Sequence, residues 1–442
     1  MALKSRLQLS DCHYGLVPAK KPREIAVSLL QSHAAGSGWL EQLLEDALSR
    51  APDLGPADRG LIRELTFGVV RWQATLDWLI ARRTDGRPQK LLLQILLRLG
   101  LYQMFWLDRV PDHAAVNETV EIAKHHGFGQ QAGFVNAVLR NCGRERDGIR
   151  AQLEQLKNRA PHLGYSHPEW LCDRWSQRWG ADKLAALLHW NNTPPPTFVR
   201  VNTLRATPEE LAAQFDQEKV LFTPRAFDWI PGDLAFELRE HPPITTLPSF
   251  QSGHFYIQDP STLLAVNLLD PQPGERVLDL CAAPGGKTTF AAQRMRNEGT
   301  IVAQDSDPTR LELVTENCAR LGVTSVLIGA PAENDFDRVL VDAPCSNTGV
   351  MRRRVELRWR IQIAELERLR VLQLDLLNRA ASLLKPGGAL VYSTCSLEPE
   401  ENEGVVKEFL SRAPGFQLEI ERQLLPFVDK VDGAFVARMR KT

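Results

Sequence analysis

The chain lacks most of the features that decide a class at a glance. None of its seven cysteines forms a CxxC pair or a Cys/His cluster at ligand spacing, which argues against a disulfide framework or a zinc site and for a reducing compartment. It has no excess charge of one sign: 53 Lys and Arg against 54 Asp and Glu leave a formal net charge of -1. A general attraction to polyanions is therefore excluded, and any nucleic-acid contact has to be local. Residues 1–150 carry 20 Lys and Arg against 16 Asp and Glu, so the small basic excess sits at that end. The start, Met1 to Arg6, has no apolar signal-peptide core, and the apolar run Leu91 to Leu107 is broken by Gln94, Arg98 and Gln103. The run reads as a buried helix, and a cytoplasmic protein with no membrane partner is expected. There is no internal repeat, no low-complexity stretch, and neither GxGxxG nor a Walker loop, so a dinucleotide or nucleoside triphosphate is poorly supported.

What is present divides by composition. With 442 residues, 43% hydrophobic and 24% charged, the chain has room for two or three domains. From about 23 to 150 the periodicity is helical throughout, over Leu61 to Trp78, Leu91 to Trp106, His113 to His125 and Gln131 to Asn141, with Asp112 as the expected N-cap of the third. Between 151 and 245 four tryptophans, Trp170, Trp175, Trp179 and Trp190, precede Pro194-Pro195-Pro196. A proline run of this kind ends a helix and starts an extended segment, here the strand-like Thr197 to Asn202, before a short helix from Pro208. From 246 onward strand, loop and helix alternate, with strands over Arg276 to Leu280, Thr300 to Gln304, Arg338 to Val341 and Ala389 to Ser393. Helices are expected over Pro308 to Leu321 and Glu365 to Leu384, and a closing strand over Ala434 to Met439. Such alternation marks an open, mostly parallel sheet covered by helices. The expected boundaries are an all-α domain over 1–150, a helical linker and small α/β module over 151–245, and an α/β domain over 246–442.

Open α/β sheets bind ligands at the carboxyl ends of their strands, and Asp279, Asp305, Asp342 and Cys395 all lie there. Pro284-Gly285-Gly286 lets the backbone approach a ligand closely, and Asp305 stands where a carboxylate accepts ribose hydroxyls. The bland alternatives are a plain turn for the glycines and a helix N-cap for Asp305 or Asp307. Together the features favour S-adenosylmethionine. Cys345 and Cys395 each follow an apolar strand in a polar loop, where a thiolate is a natural nucleophile for a pyrimidine ring carbon. Free cysteine is also commonly a small buried hydrophobe, the reading that suits Cys12, Cys142, Cys172 and Cys318. Leu397 to Asn402 reads as a helix start with Pro399 near its first residue, which would set Cys395 just ahead of a helix N-terminus.

DLCAAPGGKT, VDAPCSNTG and YSTCSLEPEEN, with Gly253 to Ser261 before them, resemble the cofactor loop and two cysteine motifs of RNA cytosine-5 methyltransferases. RELTFGVVRW, LRLGLYQMFWLDRVPDHAAVNETVEIAK and GFVNAVLR are similar to the NusB-type RNA-binding fold. The combination resembles the RsmB (Sun/Fmu) family of bacterial 16S ribosomal RNA methyltransferases, from about residue 22 onward. The resemblance implies a multidomain fold: an all-α NusB-like domain, a small α/β linking module, and a Rossmann-like class I methyltransferase domain dependent on S-adenosylmethionine. It further implies Cys395 as the nucleophile on C6 of cytosine, Cys345 as the residue that assists product release, and Asp342 as the base contact. The cofactor would be held by Asp279, Cys281, Ala282, Ala283, Pro284, Gly285, Gly286, Lys287, Asp305 and Asp342. The partner would be 16S ribosomal RNA, free or in an early small-subunit particle, bound by a monomer that needs no metal. A transfer RNA substrate, or a catalytically silent assembly factor, are the alternatives. One departure is Ala330, which stands where the family has an acidic contact to adenine; either Glu333 or a backbone group substitutes, or cofactor affinity is reduced.

A cytosine paired in a duplex hides C6, so the protein has to accept an unpaired or flipped base. Arg352, Arg353, Arg354 and Arg358, with Trp359 and Arg360, follow the Cys345 loop closely and are expected to contact RNA rather than form a solvated helix face. Arg63, Arg71, Arg140, Arg144 and Arg146 are expected to add phosphate contacts from the helical domain.

Overall fold

In the computed structural model, residues 21–329 and 335–442 are described, and the chain divides after Asp173 into two compact units. The first is built from helices, with no strand among its described residues. Leu91–Trp106 is buried on nearly every side, as expected of a helix apolar all round. Pro22–Ala34 and Asp112–His125 each present one buried face, while Pro56–Arg71 is buried all round from Leu65 onward. Two expectations need correcting. Leu61 to Trp78 is not one helix: Trp72 leaves helical geometry (φ -101°, ψ 16°), and a second helix, Gln73–Arg83, starts after it. That start is fixed by tertiary partners, the Ser166 hydroxyl accepting from the Ala74 N–H at 3.0 Å and Thr75 donating to the Leu163 carbonyl at 2.5 Å. The N-cap before His113 is Pro111; Asp112 is already helical and its carboxylate pairs with Arg146.

The second unit holds two sheets. Strands β1 (Thr197–Val201), β2 (Leu221–Arg225), β3 (Ala235–Glu240) and β4 (Phe255–Ile257) form a small antiparallel sheet in the order β2-β3-β1-β4. Phe236 and Phe255 of this sheet pack against Phe215 of helix Pro208–Gln217, at whose start Thr207 and Glu210 close a capping box. The large sheet comprises β5 (Arg276–Asp279), β6 (Thr300–Ala303), β7 (Val326–Ile328), β8 (Phe336–Asp342), β9 (Leu384–Thr394), β10 (Phe416–Leu424) and β11 (Ala434–Lys441), ordered β10-β11-β9-β8-β5-β6-β7. All pairs from β9 to β7 are parallel; β11 is antiparallel to both β9 and β10. Of the expected boundaries, the one at 150 falls inside helix Arg146–Arg159, and the one at 245 separates β4 from β1, its partner in the small sheet. The pairing of β1 with a segment more than fifty residues later leaves no trace in local composition.

The central strands of the large sheet bury both faces, and their sequence shows it. Val277, Leu340, Val391 and Val436 face one core with helices Leu263–Leu269, Gly286–Arg294 and Pro308–Leu321. Their neighbours Leu278, Val339, Val341, Leu390, Tyr392 and Ala437 face the other, with helices Ile363–Leu383 and Glu403–Arg412. Connections from β5 run one way to β6 and β7, while β8 and β9 lie on its other side. The reversal between β5 and β8 is the place where open α/β sheets leave a crevice at their carboxyl ends. Among the described residues no helix is long and apolar enough to cross a membrane.

Candidate active site

At that crevice lies a cavity of 380 Å³. Cys281, Ala282, Ala283, Pro284, Gly286 and Lys287 line it, with Asp342, Arg353, Arg354 and Cys395; Asp279, Gly285, Asp305 and Cys345 stand behind its wall. The loop after β5 turns into helix Gly286–Arg294 through Gly285, at φ +102°, where a Cβ would press on the Val314 backbone at 3.3 Å. Asp279 is buried. One carboxylate oxygen accepts from Thr288 at 2.7 Å and the other has no partner among the described residues, so burial pushes its pKa up to about 7. Asp305 ends the next strand and accepts from the backbone N–H groups of Ala283 and Asp307, both at 3.1 Å, while Asp307 is the N-cap of helix Pro308–Leu321. Burial, then the carboxylates of Asp279, Asp342 and Asp305, raise the Cys281 thiol pKa, so this cysteine stays protonated. Ala330 and Glu333 lie outside the described residues.

Lys287 is engaged elsewhere than the cofactor loop suggests. Its ammonium meets Asp342 at 2.5 Å, and the other Asp342 oxygen accepts from Ser393 at 2.8 Å. Burial works against the charge on Lys287, but Asp342 outweighs it and Cys395 adds to it, leaving the ammonium pKa above its ordinary value.

The two cysteines leave neighbouring parallel strands, β8 and β9, in a register that opposes Asp342 to Ser393. Their sulfurs lie 3.4 Å apart. Cys395 is partly open to the cavity, whereas Cys345 is buried. The Cys395 contact, then burial, then the Glu401 carboxylate raise the Cys345 pKa well above that of a free thiol. The helix expected directly after Cys395 does not form there; it begins at Glu403, and Leu397 to Asn402 is a folded loop. The reason is that its acids turn inward. Glu398 accepts from the Trp175 indole at 3.0 Å, and Glu401 accepts from the Ser346 N–H at 2.8 Å, from the Ser346 and Ser396 hydroxyls, and from Gln373 at 3.2 Å. Glu401 thereby ties together the residues that follow each cysteine, and burial raises its pKa. The loops also touch through backbone: a Cβ on Gly349 would lie 2.8 Å from the Cys395 carbonyl oxygen. Glu401 and Asn347 are functional-site residues that sequence reasoning passed over. The only signal was their presence inside the two cysteine motifs.

The arginine cluster divides. Arg358 is fully buried and donates to Asn192 Oδ1 at 2.9 Å and to the Asn191 carbonyl at 3.2 Å. Arg352 stacks 4.0 Å over Trp190 and donates to the Thr193 and Pro194 carbonyls. Both guanidiniums are thus engaged by carbonyl and amide oxygens at the end of helix Ala181–Asn192 and just after it, where no further helical N–H satisfies them. Arg353 lines the cavity between Asp259 (2.9 Å) and Asp432 (2.6 Å). Arg354 is exposed on the cavity wall. In the helical unit Arg71 is also buried, which lowers its pKa, and Arg63 pairs with Glu41 at 2.7 Å.

Three family models match the chain: NusB over residues 20–144, the ferredoxin-like domain of RsmF/B-like methyltransferases over 167–228, and 16S rRNA methyltransferase RsmB/F over 266–440. The "Probable ribosomal RNA small subunit methyltransferase B" of Bacillus subtilis is 34% identical over 95% of this chain and 98% of its own length. The chain belongs to the RsmB family. The RsmB protein of Vibrio cholerae is 36% identical over 90% of this chain and 93% of its own. Among solved structures, PH0851 aligns with a TM-score of 0.77 at 25% identity, covering 95% of this chain and 99% of that one. A methyltransferase homologue from Pyrococcus horikoshii aligns at 0.56 and 34% identity, over 66% and 99%. The RsmB assignment carries the helical domain, the small ferredoxin-like sheet and the methyltransferase sheet together.

Proposed function

We propose that this RsmB enzyme methylates C5 of a cytosine in 16S ribosomal RNA, in the cytoplasm, through a covalent bond between Cys395 and C6. The observation that carries the reading is the pair of sulfurs 3.4 Å apart on adjacent strand ends, with one of them opening on a cavity that also presents Asp342 and Lys287.

The residues fit S-adenosylmethionine. A buried carboxylate oxygen of Asp279 without a partner among the described residues suits an ammonium group, Asp305 retains acceptor capacity on both oxygens for hydroxyls, and the loop at Gly285 and Gly286 brings backbone close. When bound, this cofactor supplies an electrophilic methyl group. The chain's own residues do the rest. Lys287, kept protonated by Asp342, faces Cys395, whose thiolate attacks C6 and makes C5 enamine-like. Asp342 accepts a hydrogen bond from the exocyclic amine of the base and so holds the ring with C6 toward Cys395. Loss of the C5 proton and expulsion of Cys395 complete the cycle, assisted by Cys345 directly or through water. The first cause of the raised Cys345 pKa is the Cys395 contact, and that cause disappears once Cys395 is bonded to carbon.

Base flipping costs on the order of a few kcal/mol. Arg354, exposed at the cavity, is the residue of the arginine cluster placed to offset it through phosphate contact. Labelled S-adenosylmethionine, 16S ribosomal RNA and transfer RNA in parallel test the whole reading. Label at C5 of one 16S cytosine is expected; label in transfer RNA alone overturns the substrate, and binding without transfer overturns the enzyme.

A further inference from the structure

Asn347, the second residue after Cys345, has a left-handed backbone (φ +59°), a conformation that side chains other than asparagine seldom adopt. Its carboxamide is shared by both cysteine loops. Nδ2 donates to the Cys345 carbonyl at 2.7 Å, and Oδ1 accepts from the Cys395 thiol at 2.9 Å. The first bond fixes the second, since a flipped amide would set its oxygen against the Cys345 carbonyl oxygen. Asn347 also lines the cavity.

An amide oxygen holds a thiol and repels a thiolate. We infer that Asn347 is a positioning residue that latches Cys395 as a thiol while no base is bound, aligned on the cavity but held back from attack. Attack requires the carboxamide to swing away from sulfur or to turn its N–H toward it, at the expense of the Cys345 bond. The latch acts beside Lys287, the cation that faces the same sulfur. The other groups facing Cys395 are Asp342, held by Lys287, and the Cys345 thiol. Arg353, Arg354 and Asp432 line the same cavity.

The inference rests on Cys395 as nucleophile, and its test uses the full-length enzyme without RNA or cofactor. Alkylation by iodoacetamide, with sites mapped by mass spectrometry, is followed from about pH 6 to about pH 9. N347G keeps the left-handed backbone without strain and removes the carboxamide. Cys395 is expected to react about fivefold faster at neutral pH, with its profile moved toward acid. N347D places a carboxylate against the sulfur, and the profile is expected to move toward alkali. Wild-type profiles in both variants, or slower reaction in N347G, overturn the latch. The nucleophile assignment is tested separately: a denaturant-stable RNA complex formed by C395A would remove it, whatever the alkylation rates.

Discussion

The Cys345 and Cys395 loops start from adjacent parallel strands, each carries a Cys-Ser pair, and both serines reach the same Glu401. Their surroundings differ in almost every other respect. Cys345 is buried, has its pKa raised by its neighbour and by burial, and does not line the cavity. Cys395 lines the cavity, has Lys287 near it, and donates its S–H hydrogen bond to Asn347. The role of each thiol is thus set less by its strand than by which side of the loop meets the cavity and which charges converge there. A motif-level symmetry becomes a chemical asymmetry through the side chains that converge on each sulfur.

The strongest way to break the comparison is to remove one sulfur at a time. C395A is expected to lose methyl transfer by on the order of 10⁴-fold or more and to form no covalent complex. C345A is expected to accumulate a denaturant-stable RNA adduct, seen as a retarded band on a denaturing gel; the opposite pattern would exchange the two roles. Next in size, D342N removes the partner that charges Lys287 and the acceptor for the base. Its kcat is expected to fall by about 10²–10³-fold, and a change confined to KM would instead make Asp342 a binding residue. E401A tests whether one carboxylate holds both loops. It leaves several buried donors without an acceptor and is expected to destabilise the fold by about 2–4 kcal/mol in urea, with E401Q closer to wild type.

The smallest expected effect compares this end of the cavity with the cofactor end. The folded pKa of Asp279, about 7, lies above that of an unfolded carboxyl, so the folded state is favoured by protonation. That contribution is complete below the unfolded carboxyl range and is lost as pH rises through about 7. Cofactor-free D279N is therefore expected to melt a few degrees above wild type at about pH 8 and level with it near pH 4. Equal differences at both values would show that Asp279 carries a partner in the free protein.

Much of the large sheet could be read from the chain because buried parallel strands are short apolar runs, and Val277-Leu278, Leu340-Val341 and Leu390-Val391 end next to acids or thiols. Helix Pro308–Leu321 runs between its expected ends because a proline opens it and Gly322 closes it. Strand β10 was missed: Phe416 to Leu424 exposes most of its side chains, and only its pairing with β11 makes it a strand. The site was legible in its thiols and its strand-end aspartates. Its polar interior was not, because a glutamate in a loop ordinarily meets water, whereas Glu398 and Glu401 are buried. Arg358 shows the same failure with the opposite charge.

One consequence of the strand order concerns time. Asp432, Gly433, Ala434 and Val436 form part of the cavity wall, and β11 is the strand that joins β10 to β9. A ribosome that has just finished residue 402 has made both cysteines, Asn347, Glu401 and the whole cofactor loop, yet the chamber still lacks a side. Chemistry becomes available only when β11 has been synthesised and has slotted between its neighbours. The cavity is thus complete only with β11 in its place between β9 and β10.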